Sequence, residues 1–201
     1  TSISHSGIIS KLNEQVDNEL GTSYSNWQAI EPYLTIFNIG YDLKNTVSCT
    51  ATTITFSDGK TINTNGGKFS ISDINGLLKF SAIVGKLNTT QATYYGASYG
   101  LNNSAGTANP MTGAIINLTN DINYNPGMTF GMDTSGNPTS SGSNSIKGST
   151  ANWTPIGTST NPFKGTFNGA GHIIRGLYIN GSNYQGLFGY AEGATVLNLG
   201  I

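Results

Sequence analysis

Charge is what this chain has least of. Lys and Arg number nine and Asp and Glu ten, together 9% of 201 residues, against about a quarter in an ordinary soluble domain. A formal net charge of -1 sets up no basic field for a phosphate backbone and no acidic tail, so nucleic acid is not an expected partner. Cysteine is almost missing as well. Cys49 stands alone, which rules out an internal disulfide and a cysteine-ligated zinc site, and a lone thiol reads as a small buried hydrophobe on a strand. The only histidines, His5 and His172, lie too far apart in the chain to suggest a metal cluster. No run approaches the roughly 18 consecutive apolar residues of a membrane-crossing helix, so no membrane insertion of this segment is expected. No cofactor fingerprint stands out: "GTFNGAG" at 165–171 is glycine-rich, but strand rather than helix follows it.

What the chain does have is glycine, 27 residues of it, with Ser, Thr and Asn throughout. A surface that is polar without being charged suits carbohydrate, another protein or further copies of the same chain. The composition leans toward a secreted or cell-surface protein.

Along the chain the periodicity changes several times. In residues 4–20 Ile8, Leu12, Val16 and Leu20 fall four apart, which predicts an amphipathic helix stopped by Gly21. A second short helical pattern runs from Ser25 through Trp27, Ile30 and Leu34 and is weakened by Pro32. From Val47 apolar residues alternate, with a change of phase before Ile54 and Phe56 that suggests a bulge or a break. "SDGK" at 57–60 supplies an Asp-Gly turn and so a β-hairpin. Ser72 reads as an N-cap for a helix over about 73–85, with Asp73 near its positive end. Two long connections follow at 88–112 and 125–151. The division expected from these patterns is a helix-plus-hairpin cap or assembly region over 1–68 and a repeat region over 69–201.

The repeat decides the expected fold. Laying "IIRGLYI" (173–179) over "TVLNLGI" (195–201) matches Ile174 with Val196, Leu177 with Leu199 and Ile179 with Ile201, an offset of 22 residues. "AIINLTN" (114–120) fits the same template, with Ile115 at the Ile174 position, Leu118 at the Leu177 position and Asn117 matching Asn198, although Gly176 interrupts the asparagine series. "GLFGY" at 186–190 adds another short strand carrying Leu187 and Phe188. Short strands, glycine corners and no helix per repeat are what a parallel β-solenoid requires, with aliphatic side chains filling a narrow interior.

The motifs "WTPIG" (153–157), "FKGTFNGAGHII" (163–174), "GLYI" (176–179), "GLFGY" (186–190) and "NLGI" (198–201) together resemble the GLUG-type repeat of bacterial surface proteins. The upstream "ISDINGLLKFSAIV" and "INLTNDI" resemble the helix and first strand that precede such repeats. The likeness covers about residues 69–201. It implies a mainly β fold, a right-handed parallel β-helix of large surface adhesins, haemagglutinin-like or autotransported, capped here by the N-terminal α+β region. Phe163 and Phe167 then join the interior, and the motif positions are structural.

The charged residues that could carry chemistry, Asp121, Asp133, Glu192, Lys164 and Arg175, are scattered, whereas a glycosidase needs two carboxylates at a set separation. His172 and Arg175 lie three apart, but "GAGHII" reads as a strand opening. Catalysis and cofactors are therefore not expected. Tyr94, Tyr95 and Tyr99 are the candidate ligand-binding residues, as a surface on which sugars could stack, with loop packing as the competing role. The expected partner is a glycan or protein on a host or neighbouring cell. Because Ile201 falls inside a strand copy, the sequence is expected to be a fragment of a longer protein, or its open end to stack on another molecule as a filament subunit would.

Overall fold

The computed structural model describes residues 40–101, 107–127, 150–181 and 183–201. The chain divides into two compact units, 1–40 and 41–201. The helix expected over 4–20, the pattern at 25–37 and most of the 125–151 connection lie outside the described residues.

The second unit begins with β1 (Tyr41–Asp42), a single 3-10 turn (Leu43–Asn45) and three antiparallel strands, β2 (Thr46–Cys49), β3 (Thr53–Phe56) and β4 (Thr61–Asn63). β3 and β4 are joined by the Asp-Gly turn: Gly59 takes φ +86° and the Lys60 N–H donates to Asp58 Oδ1 at 3.0 Å. The change of phase before Ile54 is the break between β2 and β3, and a bulge lies earlier, within β2. The chain reverses at Thr50, whose hydroxyl accepts from the Thr53 N–H, and the β2 register shifts between Thr46 and Ser48. Leu43, Cys49, Ile54 and Phe56 are buried in the same core as Phe69 and Ile83. The hairpin residues therefore share one core with the segments after residue 68.

β5 (Lys68–Ile71) leads into α1 (Ile74–Gly85). The helix is where its spacing predicts, but Asp73, not Ser72, caps it: Asp73 Oδ1 accepts from the Gly76 N–H at 3.0 Å, and Ser72 Oγ donates to Asp42 Oδ2 at 2.6 Å instead. Leu77, Leu78, Phe80, Ile83 and Val84 are all buried. Phe80 meets Phe163 edge-on at 5.4 Å between ring centroids and stacks on Phe167 at 5.7 Å, which ties the helix to the later strands. The 88–112 connection contains a small hairpin, β6 (Thr93–Tyr94) and β7 (Ala97–Ser98).

The remaining strands are β8 (Ile115–Leu118), β9 (Ile122–Asn123), β10 (Thr166–Asn168), β11 (Ile174–Arg175) and β12 (Thr195–Leu197). β1, β5, β8, β10 and β12 form one five-stranded sheet in chain order, with every pairing parallel. β9 pairs with β11, also in parallel. Parallel bridges at Asn152–Tyr178, Ile156–Phe188, Phe163–Ala191 and Ile173–Gly200 continue the same lateral pairing outside the strands.

The register differs from the 22-residue alignment. Phe69, Ile116, Phe167 and Val196 lie in one row across the sheet, so Val196 is opposite Phe167, 29 residues earlier, and not opposite Ile174. Ile174 pairs with Ile122, and its neighbour Ile173 with Gly200. Similar apolar triplets occur in both parallel sheets, and the alignment laid a triplet of one sheet over a triplet of the other. Ile115 is consequently 36% exposed while Ile116 and Leu118 face the core, the alternation a strand imposes. Val196 is 47% exposed because β12 is the edge of the sheet. Phe163, Phe167, Ile174 and Leu187 are buried as expected; Leu177, Ile179, Phe188 and Leu199 are only partly buried, packed against the core from its margin.

An asparagine row runs across the sheet. Asn168 Nδ2 donates to Asn117 Oδ1 at 3.1 Å, and Asn198 Nδ2 donates to Asn168 Oδ1 at 3.2 Å. The middle member is Asn168, where the 22-residue alignment placed Gly176. Two glycines make the close stacking possible. At Gly157, φ is +81° and a Cβ would land on the Tyr190 carbonyl oxygen; at Gly169 a Cβ would lie 2.6 Å from Leu199 Cα.

Candidate functional site

Three places gather side chains able to bind or react. The first is the tyrosine group. Tyr94 ends β6 and Tyr95 opens the turn to β7, where it takes φ +46° ahead of Gly96 at +81°. Tyr94 meets Tyr95, Tyr99 and Tyr124 at centroid distances of 4.6, 6.1 and 5.0 Å, and Tyr124 meets Trp153 edge-on at 5.3 Å. Their hydroxyls are engaged inward: Tyr94 donates to the Tyr124 carbonyl, Tyr95 to Asn125 Oδ1 and Tyr124 to the Asn152 carbonyl. Burial pushes the Tyr94 hydroxyl above its ordinary pKa, with Tyr95 and Tyr99 adding to the shift. Asn125, itself buried, donates to the Ala151 and Gly176 carbonyls and accepts from the Ala151 N–H. The structure thus brings the three predicted tyrosines together, as packing that clamps the β6–β7 hairpin onto the stacked segments; of the three only Tyr95 is exposed.

The second place was not read as one from the sequence. Asp121, just before β9, accepts from the Ile173 N–H at 3.1 Å, lies 3.2 Å from His172 Nδ1, and pairs with Arg175 at 3.3 Å. The Ile173 amide, then the His172 ring, hold its carboxyl below the usual range. Asp121 and Arg175 are exposed, so the cluster ties neighbouring parallel segments together at the surface and contributes little to stability. Glu192 forms a similar surface pair with Lys164 at 3.2 Å.

The third is a cleft of about 160 Å³ between residues 152–155 and 179–185. Its origin lies in the pairing. Segments starting at Asn152 and Tyr178 are bridged there and again at Ile156 and Phe188, so one side advances four residues while the other advances ten. The longer side must bow outward. Trp153, Pro155 and Ile179 contribute the apolar part of the lining, and Thr154 adds a hydroxyl. The polar part is made of amides: Asn152, Asn180, Asn183 and Gln185. Asn152 is oriented, since its Oδ1 accepts from the Asn180 N–H at 2.7 Å, which leaves its NH2 group as a donor. No charged side chain is among the described residues lining the cleft. Tyr184, between two lining amides, is 59% exposed and meets Tyr190 edge-on at 5.8 Å. The signal for this site was present in the sequence as the polar run "NGSNYQ" between two apolar pieces, but its meaning depends on the two bridges.

Compared with known proteins, the chain matches no family model, no curated protein and no solved structure. Neutral donors and acceptors beside exposed aromatic rings can hold an uncharged, hydroxyl-rich ligand. The Asp121 cluster has its carboxylate committed to three donors, so it is suited to fastening segments together.

Proposed function

We propose that this chain is a non-catalytic, adhesin-like module of a bacterial surface or secreted protein, whose parallel segments are rungs of a right-handed parallel β-helix carrying binding loops toward a glycan or protein on a host or neighbouring cell. The observation that carries the reading is the five-stranded parallel sheet stacked in chain order. Each added rung of such a stack lengthens the body by about 4.8 Å while burying the same kind of side chain. A body built this way gains reach without a new fold. The resemblance to the GLUG-type repeat points the same way, and its motif residues Ile156, Phe163, Phe167, Ile174 and Leu187 are buried.

The test is retention. Surface-immobilised protein is exposed to epithelial and bacterial cells and to a glycan panel, and the eluted glycans are sized. Retention with glycans recovered intact is the expected result; shortened glycans would replace this reading with a polysaccharide-active enzyme, and failure to retain any cell or glycan would remove it. A filament subunit is a second reading, favoured by the apolar edge at β12, where Val196 and Leu197 are exposed. Ordered fibres in electron micrographs of the purified chain would select it.

A further inference from the structure

We infer that the cleft between Asn152–Pro155 and the outward-bowed segment after Tyr178 seats a single ring of a neutral glycan, with the amides of Asn152, Asn183 and Gln185 meeting its hydroxyls and Tyr184 stacking on its apolar face. The inference deepens the attachment reading and rests on it.

The lining chemistry selects the ligand. A primary amide presents two donors and an accepting oxygen, which matches the paired donor and acceptor character of a sugar hydroxyl. An anionic ligand would meet no cation among the described lining residues, and a cationic one no carboxylate. The volume sets the size. About 160 Å³ in an open-sided cleft is room for one ring and not for a chain, so further sugar units would lie outside, toward Tyr190.

The backbone gives an independent sign. Tyr184 holds φ +53°, a region that bulky residues avoid and that glycine takes freely. Its ring is 59% exposed, so burial does little to offset the strain. Its ring packs edge-on against Tyr190 at 5.8 Å and stays largely exposed. Tyr184 stands outside the lining itself but next in sequence to Asn183 and Gln185, and its exposed ring is suited to covering a ligand at the rim; strained residues of this kind gather at binding sites.

The experiment titrates the 15N-labelled chain with methyl glycosides of glucose, galactose, mannose and N-acetylglucosamine, and in parallel with a blocked Gly-Ser peptide, while following backbone and side-chain amide resonances. The expected result is saturable shifts, for at least one sugar, at the side-chain NH2 groups of Asn152, Asn183 and Gln185 and the backbone around Tyr184. Tyr184→Gly should then bind roughly three- to tenfold more weakly while melting no lower than the parent, because glycine relieves the strain. Gln185→Ala, an exposed change, should also weaken binding. Shifts mapping elsewhere, no saturable shift with any sugar, unchanged affinity in Tyr184→Gly, or saturation by the peptide alone would each overturn the inference. The two readings fail separately. Wild-type retention on cells that Tyr184→Gly leaves undiminished removes the cleft and keeps the attachment module. Sugar shifts at the cleft without any retention keep the cleft and remove the module.

Discussion

Asn168 stands in the middle of three asparagines joined side chain to side chain across the parallel sheet, and a one-atom change there separates its two bonds. Its Nδ2 donates to Asn117 Oδ1, while its Oδ1 accepts from Asn198 Nδ2 and from the Ala170 N–H. Asn168→Asp keeps the shape and the acceptor but removes the donor. Asn117 is only 2% exposed, so its carbonyl oxygen would then face a carboxylate with little water to intervene. Losing a hydrogen bond costs about 1 kcal/mol, and leaving a buried acceptor opposite a charge up to about 3 kcal/mol, so the variant should lose roughly 1–3 kcal/mol at pH 7. At about 1.36 kcal/mol per pKa unit, this places the new carboxyl roughly one to two units above the ordinary aspartate value. The sign follows. The protonated acid regains an O–H donor for Asn117, so the folded state favours the proton. The contribution is fully present below the unfolded value of about 3.9 and is lost as pH rises through the raised folded value, roughly 5–6. Urea unfolding of parent and variant, followed by far-ultraviolet circular dichroism from pH 3.5 to 7.5, should show a gap that opens with rising pH and levels off near neutrality. A gap of constant size, or none at pH 7, would refute the claim that the asparagine row bears load across the sheet.

Two further outcomes follow from the core. Phe167→Ala removes a fully buried ring stacked on Phe80 and should cost about 3–5 kcal/mol, whereas Val196→Ala in the same register row should cost under about 1 kcal/mol because that side chain is 47% exposed; equal effects in urea unfolding would contradict the register. Burial pushes the Cys49 thiol up to about 11, so the native chain at pH 8 should resist a thiol reagent that reacts promptly once urea is added. Stability linked to this thiol is intact below its ordinary value near 9 and declines as pH rises through about 11. Prompt native labelling would contradict the burial.

The elements that local chemistry dictates were legible before the fold was known. Asp58-Gly59 specifies the β3–β4 turn by itself, and the spacing of Leu77, Leu78 and Val84 specifies α1 within a residue of its observed start. Pairing across the sheets was not legible. Triplets such as Ile173–Arg175 and Thr195–Leu197 carry the same branched, apolar signature, and nothing within a triplet says whether its partner lies 29 or 52 residues earlier. The N-cap slipped by one residue because Asp42, distant in sequence, takes the Ser72 hydroxyl and leaves the helix end to Asp73. Asp121 reads as one of several scattered charges because its partners, His172 and Arg175, are more than 50 residues away. The tyrosines at 94, 95 and 99 lie together, yet where their hydroxyls turn depends on acceptors supplied by Tyr124 and Asn125.

The bowed segment between Tyr178 and Phe188 is pinned at both ends, by the bridges to Asn152 and Ile156. The exposed residues inside the bow, such as Asn183, Tyr184 and Gln185, can therefore be exchanged without disturbing Leu187 or the register on either side. Selection can retune what the surface touches by editing this one excursion while the frame stays as it was, so that specificity and durability are inherited on different residues.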